Sequence, residues 1–116
     1  MKDTLSELYD VVLSRKTEKT EGSYTCYLFE KGLDKILKKV GEECAETVIA
    51  AKNAERADGD TEKRSELIGE ICDLYYHLTV MMASLGISPD DINAELEKRS
   101  LKTGNLKTFH STDKNT

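Results

Sequence analysis

The sequence lacks tryptophan, has a single proline, and shows no close pairing among its three cysteines. An odd number of unpaired cysteines excludes a disulfide framework and indicates a reducing compartment. The formal net charge of -5 excludes a protein that coats nucleic acid, because no basic stripe offsets it. The longest nearly apolar run, 78–87, is too short to span a bilayer, and the N-terminus lacks a signal peptide's apolar core. We therefore expect a cytoplasmic protein that binds neither membrane nor nucleic acid.

What the sequence does contain is 38% hydrophobic and 34% charged residues in helical periodicity, without a strand pattern or internal repeat. This predicts one all-α domain over residues 1–101 and a polar tail, 102–116, that we expect to be poorly ordered. Thr4 and Glu7 fit a capping box at the first helix, and Cys44 and Cys72 fall in apolar patterns typical of small buried residues. The expected helices are Leu5 to about Arg15, Tyr24–Lys31, Leu33 to about Ala54, about Glu62 to Leu85, and Pro89 to about Ser100.

Two acidic pairs stand out in the two long helices. Glu43 precedes Glu46 by three residues, and Glu70 precedes Asp73 by the same spacing. Residues three apart are neighbours on one face of a helix. Four carboxylates around one point would suit Mg²⁺, a hard cation that prefers oxygen ligands. The pairs therefore predict a Mg²⁺ site on a helical hairpin that acts on a polyphosphate.

A helical wheel predicts that the two pairs meet. Each pair belongs to a polar band about a quarter turn from its helix's apolar stripe, in the same sense in both helices. The short connection around Asp58-Gly59 favours an antiparallel hairpin, and both pairs lie about ten residues from that turn. If the apolar stripes face each other, the pairs are level at one edge. The bands are Lys39, Glu43 and Glu46, and Glu66, Glu70, Asp73 and His77. The stripes are Leu33, Leu37, Val40, Cys44, Val48 and Ala51, and Leu67, Ile71, Leu74, Leu78, Met81 and Leu85.

Two alternatives remain at this point. Acidic pairs three apart are common among 22 acidic residues, and most such pairs lie on a solvated face. His77, one turn beyond Asp73, fits a hydrogen-bonded interface histidine as well as a catalytic one. The predicted helix that carries Glu70 has apolar residues around most of its circumference. Such a helix needs neighbours on most sides, which predicts a homodimer.

The acidic motifs also carry a family resemblance. The spacing E-x-x-E, a gap, then E-x-x-D resembles the MazG-like all-α nucleotide pyrophosphohydrolases. More closely, the chain resembles the phosphoribosyl-ATP pyrophosphohydrolases of histidine biosynthesis, over roughly residues 4 to 100. The segments that carry the closer likeness are Gly22–Thr25, Gly32–Glu43, Ala50–Asn53, Asp73–Leu78, and Glu95-Leu96-x-x-Arg99.

The resemblance implies a MazG-like helical bundle completed by dimerisation, and Mg²⁺-dependent hydrolysis of phosphoribosyl-ATP between its α- and β-phosphates. By position, Glu43, Glu46, Glu70 and Asp73 would bind the metal, and Glu42 would lie in the outer shell or assist the base. Phosphate-holding residues would be Lys35, Lys39, Lys52 and Asn53. The turn of Ser23, Tyr24 and Thr25 would close over the ligand, with His77 at the edge of the site.

The resemblance leaves two other functions open. A related house-cleaning enzyme would hydrolyse free non-standard nucleoside triphosphates instead. A non-enzymatic helical dimerisation module would carry the same acids on a solvated face. No cysteine-rich zinc site accompanies the domain, so we expect a stand-alone version of the enzyme rather than a fusion to the cyclohydrolase that follows it in the pathway.

Overall fold

The computed structural model describes residues 3–56 and 61–103, and within them every regular element is helical. The predicted all-α class is therefore confirmed. None of the described helices is long and apolar enough to cross a membrane. The five helices are α1 (Thr4–Ser14), α2 (Tyr24–Lys31), α3 (Leu33–Arg56), α4 (Thr61–Leu85) and α5 (Pro89–Thr103).

The helix ends follow their capping residues, with one correction. The capping residue of α1 is Asp3 rather than Thr4, because the Asp3 carboxylate accepts a hydrogen bond from the Ser6 backbone N–H at 2.8 Å. Ser23 caps α2 by accepting from the Cys26 N–H at 3.1 Å. Gly32, at φ 93°, ends α2 in a backbone conformation that other residues rarely adopt.

Helices α3 and α4 form the predicted antiparallel hairpin. Ile36 near the start of α3 shares a core cluster with Val80 near the end of α4. Further along, the Thr47 hydroxyl lies 3.4 Å from the Glu70 carbonyl oxygen. Residue numbers thus increase along α3 while the residues they meet on α4 decrease in number, so the two helices run antiparallel. The predicted turn at Asp58-Gly59 lies outside the described residues.

The core lies at the end of the hairpin remote from that turn. Helices α1 and α2 pack there against α3 and α4, and fully buried Val12, Leu28, Ile36 and Val80 fill the space between them. The acidic part of the hairpin, nearer the turn, has no comparable apolar filling among the described residues. This arrangement leaves the middle of the hairpin free for polar side chains.

The side of α3 that faces α4 differs from the prediction. The expected apolar stripe points outward, since Leu37 and Val48 are 43% and 64% exposed. Cys44 and Cys72 are exposed rather than buried. Glu43 instead turns inward and is 6% exposed. Glu43 thus lies between the two helices rather than at their edge, whereas Glu46 and Asp73 are exposed. Most of the predicted apolar stripe of α3 is left on the surface.

The last helix extends beyond its predicted end at Ser100, because Leu101 and Lys102 are good helix formers. Leu101 is nevertheless 87% exposed, so packing against residues 3–56 and 61–103 does not explain the extension. The rest of the predicted tail, 104–116, lies outside the described residues. The division into a domain and a tail therefore stays a prediction.

Candidate active site

Three of the four predicted metal ligands converge between α3 and α4. Carboxylate oxygens of Glu43, Glu46 and Glu70 all lie within 4.8 Å of one another. Glu43 and Glu46 are one turn apart on α3, and Glu70 reaches them from the facing side of α4. We refer to these three residues as the carboxylate cluster. The cluster combines a buried acid, a partly buried one and an exposed one, so it opens to solvent on one side.

The surroundings of the cluster disfavour negative charge. Burial raises the pKa of Glu43 to about 7, with further contributions from Glu46 and Asp73. Burial and the charge of Glu46 also raise the pKa of Glu70. Like charges crowded together in a partly desolvated space favour protonation unless a cation compensates them.

Two oxygen atoms of the cluster have no partner among the described residues. Glu43 Oε2 and Glu70 Oε2 are both buried and lack a hydrogen bond. Buried polar atoms are rarely left unsatisfied, and such atoms need an explanation. Carboxylate oxygens held this close together are the donors that Mg²⁺ takes. The residues present therefore fit a divalent cation.

Asp73 occupies a different position from the other three predicted ligands. It is not part of the group whose oxygens lie within 4.8 Å of one another, although its charge contributes to the raised pKa of Glu43. Its backbone carbonyl oxygen lies 2.8 Å from Nδ1 of His77, one turn later. Its role as a ligand stays a prediction.

A basic residue borders the cluster. Lys39 Nζ lies 3.2 Å from Glu42 Oε2 and 3.9 Å from Glu43 Oε1. The hydrogen bond from Lys39 lowers the pKa of Glu42, and the positive charges of Lys39, Lys38 and Lys35 lower it further. Glu42 is thus an ionised carboxylate next to a cluster whose buried member resists ionisation.

The Lys52-Asn53 pair divides between two environments. Asn53 lines a cleft of about 240 Å³ that also contains Glu46 and Glu70 of the cluster. Lys52 is instead exposed and paired with Glu55 at 2.8 Å. Asn53 is therefore placed at the site, whereas Lys52 would have to leave Glu55 to reach it.

The Ser23-Tyr24-Thr25 turn lies against α4 one turn beyond Asp73. The Tyr24 hydroxyl lies 3.2 Å from His77 Nε2, and the Thr25 hydroxyl is hydrogen-bonded to that of Tyr76. The Tyr24 ring packs edge-on against the His77 ring, with centroids 5.9 Å apart. Ser23 serves as the cap of α2. The turn is thus joined to the helix that carries Glu70.

Sequence reasoning missed three residues near the site. Glu66 lines the 240 Å³ cleft, and its position in the polar band of Glu70 was an available signal. Thr47 donates to the Glu43 carbonyl at 2.8 Å and contacts the Glu70 carbonyl. Nothing in the sequence around Thr47 indicates these contacts. Tyr76 belongs to the Asp73–Leu78 segment of the family resemblance, but its contact with Thr25 is not predicted, because the two residues are 51 positions apart.

A larger cleft lies to one side of the cluster. It measures about 710 Å³ and is formed by the loop before α2 and by α2 itself. None of the clustered carboxylates lines it, but Ser23 and Tyr24 do. Tyr24 therefore separates this cleft from His77 and the end of the acidic site.

Comparisons with known proteins show which family the chain is similar to. A family model described as phosphoribosyl-ATP pyrophosphohydrolase matches residues 5–100. A Clostridium novyi protein named phosphoribosyl-ATP pyrophosphatase is 50% identical over 105 residues, covering 90% of this chain and 88% of its own. Proteins of the same name from Clostridium botulinum and Listeria innocua are 51% and 56% identical, over 95% and 84% of this chain and 93% and 86% of theirs.

Proposed function

Because the chain belongs to the phosphoribosyl-ATP pyrophosphohydrolase family, we propose that it hydrolyses the α–β phosphoanhydride of phosphoribosyl-ATP. The products are phosphoribosyl-AMP and pyrophosphate, and the reaction is a step of histidine biosynthesis. The relatives that cover most of the chain carry the name of this activity. The observation that supports the chemistry best is the carboxylate cluster with its two unpartnered buried oxygens.

Mg²⁺ is the cofactor we propose for this cluster. Glu43, Glu46 and Glu70 would hold it, with Asp73 as the fourth predicted ligand one turn further along α4. When bound, such a cation neutralises charge on the phosphate oxygens and lowers the barrier to attack by water. The raised pKa of Glu43 and of Glu70 in the metal-free chain is consistent with carboxylates that a bound cation would stabilise in their ionised form.

The remaining polar residues would bind the phosphates of the substrate and orient the attacking water. Lys39 stands at the rim of the cluster, where its ammonium group can pair with a phosphate in place of Glu42. Lys35 lies one turn earlier on α3 and adds positive charge near Glu42. Glu42, held ionised by Lys39, is a candidate to take a proton from the attacking water. Asn53 would hold a phosphate oxygen across the 240 Å³ cleft.

The decisive experiment measures pyrophosphate release from phosphoribosyl-ATP with Mg²⁺ and with excess chelator, beside ATP and dUTP. Release from phosphoribosyl-ATP alone, abolished by the chelator, is the expected result. Turnover of the free triphosphates instead would assign the chain to the house-cleaning branch. An absence of turnover on every substrate would contradict an enzymatic role and favour the helical dimerisation module.

We also propose that the protein works as a homodimer in the cytoplasm. Six large apolar side chains of α3 and α4 are between 43% and 64% exposed, more than a monomer of this size would leave on one hairpin: Leu37, Val48, Ile49, Ile68, Tyr75 and Leu85. A second copy would cover them. All three cysteines are free thiols, which suits a reducing compartment.

A further inference from the structure

A hydrogen-bond chain runs from Tyr24 through His77 to the backbone of Asp73. His77 is 6% exposed, and both of its ring nitrogens have partners. One partner, Tyr24, belongs to the first turn of α2, and the other is the backbone carbonyl of Asp73, a predicted metal ligand. The imidazole of His77 thus connects the start of α2 to the part of α4 that carries Asp73.

In the neutral imidazole, the geometry determines which nitrogen carries the proton. Nδ1 lies 2.8 Å from the Asp73 carbonyl oxygen, and a carbonyl oxygen only accepts. Nδ1 must therefore donate, so Nε2 of the neutral ring is an acceptor. The Tyr24 hydroxyl, 3.2 Å away, then donates its single proton to Nε2.

That donation restricts what Tyr24 can bind. With its proton committed to His77, the phenolic oxygen offers only lone pairs to a ligand. An ionised phosphate has no hydrogen to give, whereas a hydroxyl or amino group of a nucleotide does. The Tyr24 residue is 46% exposed and borders the 710 Å³ cleft, so a ligand can reach it.

We propose that His77 is a positioning residue that holds Tyr24 as a hydrogen-bond acceptor for a donor group on the nucleoside part of the substrate. This inference rests on the proposed function for the identity of the substrate. The catalytic carboxylates lie elsewhere, so the pair acts on substrate binding and not on the chemical step. Loss of the pair removes interactions that substrate and transition state share, which raises KM and leaves kcat in place.

Two replacements of His77 separate its two bonds. In His77→Asn the amide nitrogen can still donate to the Asp73 carbonyl, but no atom reaches Tyr24. In His77→Gln the longer amide places an acceptor near the position of Nε2, so the bond from Tyr24 survives. Tyr27→Phe is the matched control, because Tyr27 stacks on Tyr24 at 6.0 Å and its hydroxyl has no hydrogen bond among residues 3–56 and 61–103.

Steady-state kinetics with phosphoribosyl-ATP test the proposal. Tyr24→Phe and His77→Asn are expected to raise KM about tenfold, the effect of one lost hydrogen bond, with kcat within about twofold. The double variant should be no worse than either single variant, since both remove the same interaction. His77→Gln should stay within about threefold of the parent, and Tyr27→Phe should match it. Equal impairment of His77→Gln and His77→Asn would overturn the role of the Tyr24 bond.

Inhibition by inorganic pyrophosphate tests the kind of group that Tyr24 binds. Pyrophosphate at alkaline pH carries no donor, so its inhibition constant should be the same in Tyr24→Phe as in the parent. A weakening that parallels the rise in KM would mean that Tyr24 binds phosphate, and would overturn the proposal.

A spectroscopic measurement keeps this inference separate from the proposed function. In metal-free protein with ¹⁵N-labelled histidine, His77 should show a protonated Nδ1 and an unprotonated Nε2, and Tyr24→Phe should shift the Nε2 resonance. The opposite tautomer, or an Nε2 resonance indifferent to Tyr24→Phe, would overturn the pairing. An enzyme inactive on phosphoribosyl-ATP with the expected spectrum would instead refute the proposed function and leave the pairing standing.

Discussion

Glu43 shows at the level of a single residue how the hairpin combines folding with charge. It is 6% exposed, and its Oε2 has no partner among the described residues. A buried carboxylate with an oxygen that lacks a hydrogen bond costs stability, because the group must either lose solvation as an ion or take up a proton. This cost lies within the carboxylate cluster. A bound cation would offset it.

The raised pKa of Glu43 predicts a pH dependence of stability in metal-free protein. The folded-state pKa, about 7, lies above the ordinary value of 4.5, so the folded chain keeps a proton that the unfolded chain releases between these values. The free energy of unfolding should therefore fall as the pH rises from about 4.5 to 7, by up to roughly 3 kcal/mol from this group.

Denaturant unfolding of the parent and of Glu43→Gln across this pH range checks the prediction. The variant should show a smaller fall, because its own side chain does not titrate, while the raised pKa of Glu70 still contributes. Identical slopes in both proteins would contradict it. Saturating Mg²⁺ should also flatten the slope of the parent, since a bound cation favours the ionised form.

Glu70→Gln tests the cluster as a metal site. Pyrophosphate release should fall on the order of 100-fold or more, because a ligand of the proposed cation is lost. The fold should survive, and the melting temperature of the metal-free variant should equal or exceed that of the parent, since one repulsive charge is removed.

Thermal melts with and without Mg²⁺ complete this test. Mg²⁺ should raise the melting temperature of the parent more than that of Glu70→Gln. Glu97→Gln, which changes an exposed acid of α5, is the control and should behave as the parent in both assays. Near-normal turnover in Glu70→Gln would refute the assignment of the ligand.

At the scale of helices, the site depends on how α2 is held between the loop before it and α3. Ser23 caps the first turn, and that turn is bonded to α4 through Tyr24 and Thr25. Gly32 then redirects the chain into α3 within a single residue, at φ 93° and ψ -179°. The direction of α2, and with it the position of Tyr24, is therefore set from both of its ends.

Two glycine replacements should change stability in opposite directions. Gly32→Ala should lower the free energy of unfolding by about 1–3 kcal/mol, because its backbone conformation is one that only glycine adopts without strain. Gly69→Ala, within α4, should raise it by up to about 1 kcal/mol, since alanine favours the helix and nothing lies within 4 Å of the added Cβ. Chemical denaturation measures both, and equal effects would contradict the assignment of strain to Gly32.

The elements were predictable from sequence because each depends on local signals. The Ser23 cap, the stop at Gly32 and the spacing of Glu43 and Glu46 are all encoded within a few residues. The face that α3 turns toward α4 was not predictable in this way. The apolar stripe was assigned to the hairpin interior on the assumption that a single chain buries its own apolar residues, and Val48 on the surface shows that this assumption fails here.

The parts of the candidate site that sequence could not supply are the contacts between distant segments. Tyr24 and His77 are 53 residues apart, and no spacing rule connects them. Resemblance named both residues but gave no bond between them. The inward position of Glu43 likewise depends on tertiary packing, since Glu43 lies two turns after the fully buried Ile36 on the side of α3 that faces α4.

For the whole molecule, the outward stripe predicts self-association. Val48→Glu should weaken the dimer about 100-fold or more, because it removes buried apolar area and adds a charge that the interface would have to desolvate. Sedimentation velocity over a range of concentrations measures the change. Leu101→Glu, a matched change at an 87% exposed position of α5, should leave the association as it is. An unchanged association of Val48→Glu would mean that the stripe is not the interface.

Cys44 lies on this stripe between Leu37 and Val48, at helical spacing from each, and its thiol is free and exposed in the single chain. The protein thereby carries its own chemical reporter of assembly. The rate of Cys44 alkylation should follow the fraction of chains that are unpaired at each moment. If the reaction is slow in concentrated protein and becomes faster on dilution, the alkylation rate of this one native thiol measures the fraction of chains that are paired.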